Sequence, residues 1–187
     1  RAGIVPSALE FMERDAIDWT LKFNDNINVN VKEEVQAHLL IEVDGNYPEI
    51  LMQEAEKIMK VVEQFEIDEV LLADTEDQKN ALWKLRRSVA EAVKSNSVYK
   101  EEDTVVTRSF LPDLYEGVSK ISEQYGFETV CYGHAGDGNL HPLILFDASD
   151  PGQVHRAHEL GGEILDDAQH LLLQLGIERG GDLVEQQ

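Results

Sequence analysis

The sequence has little of what marks a secreted, membrane-spanning or nucleic-acid-binding protein. Its 187 residues include one cysteine, Cys131, which excludes a disulfide within the chain and favours a reducing, cytoplasmic location. No apolar run reaches the roughly 20 residues that a transmembrane helix requires. The chain has only 16 lysines and arginines but 37 aspartates and glutamates, so its net charge is −21. Such a surface repels phosphate backbones, which argues against nucleic acid as a partner.

The remaining composition is that of an ordinary globular protein. Hydrophobic residues make up 42% of the chain and charged residues 28%. The length predicts one domain, with room for two subdomains. Because the first residue is Arg and not Met, we expect this chain to be a piece of a longer protein.

Hydrophobic periodicity predicts helices that alternate with short strands. Strands are predicted at 36–44, 68–73, 104–109, 128–132 and 142–146, and 97–103 is predicted to be a loop. Helices are predicted at 8–23, 49–65, from 75 to beyond 93, 111–125 and 151–175. Ser7, Thr75 and Asp150 are predicted N-cap residues, with Glu10 and Gln78 at capping-box spacing from the first two. Gly126 and Gly176 are predicted to end the helices that precede them. Two rounds of strand, helix and strand with antiparallel returns predict an α+β fold, in which helices pack on one face of an antiparallel sheet.

The most informative stretch is 132–146, which reads YGHAGDGNLHPLILF. Gly136 and Gly138 allow a tight turn, including backbone with positive φ, between two runs that can form strands. A hairpin folded at this turn would bring His134 and His141 together. Two neutral imidazoles with a carboxylate and an open position are typical of a catalytic metal site. The alternative is that both histidines are turn residues or polar groups without a chemical role.

Several segments resemble one known family. The run GHAGDGNLHP followed by ILFD is similar to the C-terminal domain of the FAD-linked oxidases, the family of the glycolate oxidase flavin subunit, D-lactate dehydrogenases and D-2-hydroxyglutarate dehydrogenase. The stretches that agree with it are PSALEFMERDAI, LLIEVDG, DEVLLADTEDQKNALWKLRRSV and VVTRSFLPDL. The resemblance implies that residues 1–187 are a substrate-binding cap domain with a ferredoxin-like repeat, next to a flavin domain that this chain lacks.

The resemblance also implies a reaction and a set of site residues. The expected enzyme oxidises a D-2-hydroxy acid such as glycolate or D-lactate and passes the hydride to FAD. By the family's pattern, His134 and His141 are ligands of a divalent metal, which would be zinc, manganese or iron. The Arg of a W-x-x-R pattern, here Arg86, binds the substrate carboxylate, Lys100 faces the substrate and Asn139 contacts the cofactor.

Three departures limit this prediction. Relatives continue into a Glu-His pair that supplies the third metal ligand and the catalytic base, whereas here Glu178 and Glu185 do not stand in that pattern. Relatives have Asn where this chain has Leu143, and no glycine-rich dinucleotide fingerprint occurs. No catalytic residue is therefore assigned, and the isolated chain is expected to be inert.

Two other functional classes stay open at this point. The chain could be a degenerate relative that serves as a binding or assembly module, or, with less support, a free-standing metal-dependent hydrolase. The expected partners are a small 2-hydroxy acid and a flavin domain or subunit. We also expect an apolar face that either meets water or pairs with another copy in a homo-oligomer.

Overall fold

The computed structural model describes residues 3–24, 27, 29 and 31–174. The predicted helix end at Gly176 and the carboxylates Glu178 and Glu185 lie outside the described residues. The chain divides into two compact units, Arg1–Ala92 and Val93–Gln187.

The first unit is built on two antiparallel strands and their helices. Strand β1 (Ala8–Glu13) leads directly into helix α1 (Arg14–Phe23), and β1 pairs with β2 (Ala37–Glu42). Helix α2 (Pro48–Val62) follows, and helix α3 (Glu76–Asn96) begins in this unit. Its buried apolar side chains include those of Met12, Ala16, Ile17, Leu40, Leu85, Val89 and Ala92.

Two predictions for this unit are wrong. Residues 8–13, predicted as the start of a helix, form β1, because their backbone groups pair with β2. Ser7, predicted to cap that helix, donates its backbone N–H to Glu42 O at 2.8 Å. Residues 68–73, predicted as a strand, form no strand, and the side chains of Leu71 and Leu72 are exposed.

Other predictions for this unit are confirmed. Helix α2 lies where its apolar periodicity placed it, although none of its residues is fully buried. The capping box before α3 is formed: Thr75 N donates to Gln78 Oε1 at 3.1 Å, and Gln78 N donates to Thr75 Oγ1 at 3.3 Å.

The second unit contains a sheet with β6 (Asn139–Leu145) at its centre. Strand β5 (Thr129–His134) pairs with one side of β6. Strands β3 (Tyr99–Glu101) and β4 (Thr104–Val105) pair with its other side, and all of these pairings are antiparallel. The predicted loop at 97–103 therefore contains a strand, and the predicted strand at 104–109 is shorter, since a 3-10 turn (Arg108–Phe110) follows it.

Two long helices cover one face of this sheet. Helix α4 (Leu111–Tyr125) packs against α5 (Pro151–Leu173), and both contact β6. Ser122 of α4 is hydrogen-bonded to Thr129 at 2.7 Å, which fixes that face of β5 as the helix side. The predicted C′ glycine, Gly126, has a φ of 70° in the left-handed region. The α+β class with antiparallel strands and helices on one face is confirmed.

Within the described ranges, no helix combines the length and the apolar character needed to cross a bilayer.

The N-cap of α5 provides a test of this architecture. Asp150 Oδ1 accepts hydrogen bonds from the backbone N–H groups of Gly152 at 2.8 Å and Gln153 at 3.3 Å. We expect Asp150→Ala to lower the free energy of unfolding by about 0.5–2 kcal/mol, because two orphan donors lose their acceptor. Urea denaturation measures the change. Asp150→Asn, which keeps an acceptor oxygen, is the control, and an equal loss in both variants would contradict a capping role.

Candidate functional site

The two histidines of the hairpin are brought together by strand register. In the β5–β6 pair, Tyr132 lies opposite His141 and His134 lies opposite Asn139. His134 and His141 are therefore diagonal neighbours on one face, and diagonal pairs lie within reach of aromatic side chains. Their ring centroids are 5.5 Å apart with the planes at 87°. The predicted approach of the two imidazoles is present, on the face of the sheet opposite α4 and α5.

The turn between the strands is tight and depends on one glycine. Asp137 N donates to His134 O at 3.0 Å, and Gly138 has a φ of 76°. Gly138 O accepts from Val106 N at 2.9 Å, so a Cβ at this position would collide with the Val106 carbonyl. Of the two glycines predicted to allow positive φ, Gly138 adopts it, whereas Gly136 is not among the described residues that do. Gly138 thus permits both the turn and its contact with the β4 segment.

A carboxylate lies beside the histidine pair. Asp103 Oδ1 accepts a hydrogen bond from Asn139 Nδ2 at 2.7 Å and lies 3.5 Å from His141 Nδ1. The side-chain carbonyl oxygen of Asn139 is buried and makes no hydrogen bond within the described part of the chain. The contact of Asn139 with a cofactor stays a prediction, and this carbonyl oxygen is the atom that could accept a hydrogen bond in it.

Polar side chains continue along the same face towards β3. The His141 ring packs against Tyr132, with centroids 5.2 Å apart, and the Tyr132 hydroxyl donates to Glu101 at 3.2 Å. Lys94 forms an ion pair with Glu101 at 3.2 Å, and this hydrogen-bonded carboxylate raises the pKa of the Lys94 ammonium. The histidine pair therefore lies at one end of a connected polar row.

The donor set fits a divalent metal only in part. His134 and His141 supply two imidazoles, which suit zinc, manganese or iron. Among the residues that the structure describes, no cluster of three or more His, Cys, Asp or Glu side chains has an arrangement that could hold a metal ion. The geometry thus brings two imidazoles together, and the described residues do not add a third group that completes a metal site.

Leu143 is one of the apolar residues on the histidine face. It belongs to the same side of β6 as His141, lies opposite Val130 and is fully buried. The resemblance predicts an amide at this position that contacts the substrate, and a buried leucine cannot make a polar contact.

Arg86 of the first unit is a buried ion-pair partner. Its Nη2 lies 2.8 Å from Glu10 Oε2, and both side chains are buried. The neighbouring Arg87 instead stacks on Trp83, with its guanidinium 4.8 Å from the ring centroid. The two arginines point in different directions, as expected for adjacent helical residues, and Arg86 is the one that points inward.

Lys100 lies on the helix side of the second unit's sheet. Its ammonium pairs with the buried carboxylate of Glu102. Gly161 of α5 leaves room for this pair, since a Cβ there would collide with both charged groups. The histidines are on the opposite face of β6, so within the second unit the structure does not bring Lys100 together with them.

Comparison with known proteins decides the family. The profile described as "FAD linked oxidases, C-terminal domain" matches residues 1–183. The chain belongs to this family.

Curated members of this FAD-linked oxidase family agree with the match. The chain is 34% identical over 182 residues to the glycolate oxidase subunit GlcD of Escherichia coli strain K12, covering 97% of this chain and 34% of GlcD. It is 35% identical over 158 residues to the D-lactate dehydrogenase of Anaerostipes hadrus, covering 82% of this chain and 33% of that protein. The chain therefore spans about a third of the length of these relatives.

A solved structure of an oxidase shares the fold. The 4-ethylphenol oxidase from Gulosibacter chungangensis, in an isoeugenol complex, aligns with a TM-score of 0.52 at 15% identity, covering 84% of this chain and 36% of that one. At this identity the likeness concerns the fold alone.

Sequence reasoning missed two residues that the geometry brings into play. Asp103 falls in the predicted loop, because the strand before it, β3, has only three residues and no apolar alternation. Glu10 falls in a predicted helix that is in fact a strand.

The Arg86–Glu10 pair yields a stability prediction. We expect Arg86→Leu to lower the free energy of unfolding by about 3–5 kcal/mol, because it leaves the Glu10 carboxylate buried without its cation. Urea denaturation measures the loss. The double variant Glu10→Leu/Arg86→Leu removes both charges and should recover most of it. A double variant that is as unstable as Arg86→Leu would show that the pair is not the source of the loss.

Proposed function

We propose that this chain is the substrate- and metal-binding part of an FAD-dependent oxidoreductase that oxidises a D-2-hydroxy acid such as glycolate or D-lactate. The family membership and the two named relatives support this proposal. The observation that carries it is the histidine pair, which the β5–β6 register brings to within 5.5 Å between ring centroids.

In this proposal His134 and His141 are two ligands of a divalent metal, which would be zinc, manganese or iron. A metal held there would supply Lewis-acid polarisation of the hydroxyl and carboxylate oxygens of a hydroxy acid. The hairpin's own contribution is to fix the direction of both imidazoles before any ligand arrives. Asn139, with its buried carbonyl oxygen, is the proposed contact to the cofactor.

The cationic residues have separate proposed roles. Arg86 is proposed to bind the substrate carboxylate, since a guanidinium offers parallel charge-assisted hydrogen bonds. Glu10 would hold the guanidinium in one orientation. Lys100 is a proposed substrate contact as well. To reach a substrate, its ammonium would have to break its ion pair with Glu102.

The proposal assigns the flavin to a partner domain or subunit. FAD accepts the hydride in such oxidations. The chain's 187 residues include no glycine-rich phosphate-binding fingerprint, and the described ones include neither a third metal ligand nor an assigned base. We therefore infer that the chain is inert in isolation. The exposed apolar side chains of Tyr47, Ile50, Met52 and Leu72 in the first unit offer a surface to such a partner or to a second copy.

A second candidate is a non-catalytic relative that acts as a binding or assembly module in the cytoplasm. Leu143 favours this candidate, because it is fully buried on the histidine face where the resemblance predicts a polar substrate contact. The presence or absence of metal at the histidine pair separates the two candidates.

Metal content tests the proposed function. We expect the purified chain to carry near-stoichiometric zinc, manganese or iron, and His134→Ala/His141→Ala to lose it, because both imidazole ligands are removed. Elemental mass spectrometry measures the metal per chain. The matched control is His155→Ala/His158→Ala, which removes two exposed histidines of α5.

The outcomes are distinct. Metal retained in the control and lost in the hairpin variant supports the proposed site. Metal absent from the wild-type chain, including after incubation with Zn²⁺, contradicts the site and favours the binding-module candidate.

A further inference from the structure

We propose that Asp103 is a positioning residue for His141. Its carboxylate accepts a hydrogen bond from the Nδ1–H group and so directs Nε2 towards the metal or substrate. This inference rests on the proposed function of the histidine pair. The role follows a general rule, in which a metal-binding histidine donates its second ring N–H to a carboxylate that fixes its tautomer and orientation.

Strand register is the first argument. β3 pairs with β6 from Tyr99↔Leu145 to Glu101↔Leu143, and β4 continues the same register with Thr104↔Leu140. Between these two pairings the same register places Asp103 opposite His141. Directly opposed residues on one face have Cβ atoms about 4.5–5.5 Å apart. The backbone pairing thus places the Cβ atom of Asp103 beside His141, whichever rotamer its side chain adopts.

The chain on either side of Asp103 is anchored to β6. Glu102 N donates to Pro142 O at 3.0 Å, and Thr104 Oγ1 donates to Leu140 O at 2.7 Å. Both Glu102 and Thr104 are buried. Asp103 is therefore presented by a segment that is fixed at both ends.

A hydrogen bond from Asn139 holds the Asp103 carboxylate on the side of His141. Asn139 Nδ2 donates to the same Oδ1 atom that faces His141 Nδ1, at 2.7 Å. The 3.5 Å separation from Nδ1 is longer than the about 2.9 Å of a typical N–H···O bond. Because the Asp103 side chain is 73% exposed, a rotation of the carboxylate can shorten it without movement of the backbone.

The tautomer of His141 in the metal-free chain is the direct readout. We expect long-range ¹H–¹⁵N correlation spectra of the ¹⁵N-histidine-labelled chain at pH 8 to show His141 with its proton on Nδ1. Asp103→Ala should move that proton towards Nε2, and Asp103→Glu should restore the Nδ1–H form. Asp166→Ala, which removes an exposed carboxylate from α5, should leave it unchanged. A His141→Gln spectrum assigns the signal.

Zn²⁺ affinity is the second readout. Calorimetric titration should give about 10–100-fold weaker Zn²⁺ binding for Asp103→Ala than for Asp166→Ala, with recovery in Asp103→Glu. A wild-type chain that binds no Zn²⁺ would end the proposed metal function, whereas the metal-free tautomer would still decide the role of Asp103. An unchanged His141 tautomer in folded Asp103→Ala would overturn this inference. It would do so even if Asp103→Ala bound Zn²⁺ more weakly, because Asp103 would then act as a direct ligand of the metal.

Discussion

The register between β5 and β6 is the constraint on which the candidate site depends. Side chains alternate between the two faces of a strand, so a slip of one residue would send His141 to the helix side and Leu140 to the histidine face. Two features oppose such a slip. The turn closes through Gly138, whose carbonyl is held by Val106, and the helix-side positions of β6 are filled by the buried side chains of Leu140 and Ile144. The packing of the core and the position of the histidines are therefore set by the same alignment of strands.

The other two candidate residues, Arg86 and Lys100, are cations that form ion pairs with buried acids of the chain. Arg86 and Lys100 were both expected to meet an anionic substrate, and both are instead paired with an acid of the chain, Glu10 and Glu102. Removing a charged group from water is costly unless a partner compensates it, so an acidic partner is what permits a cation to be buried at all. For Arg86 the partner is Glu10, and both side chains are buried. For Lys100 a substrate role requires an existing ion pair to break.

Local signals predicted some elements well and others badly. The hairpin, the capping box at Thr75 and the N-cap at Asp150 were predictable, because each depends on residues close in sequence. Strand β1 was not, because its pairing with β2 is a long-range interaction that outweighs the helical periodicity of the segment. The closeness of the two histidines could be predicted from the turn between them. Asp103 lies beside them only because β3 and β4, on either side of it, pair with β6. Short strands such as β3 carry too few residues for a pattern to be visible.

The central claim is that His134 and His141 bind one metal ion together. Anomalous diffraction at the zinc edge, from crystals of this chain grown with Zn²⁺, tests it most directly. We predict a peak between His134 and His141, about 2.0–2.1 Å from one nitrogen of each imidazole. Zinc found only at histidines of α5, such as His155, with no peak between the hairpin imidazoles, would contradict it.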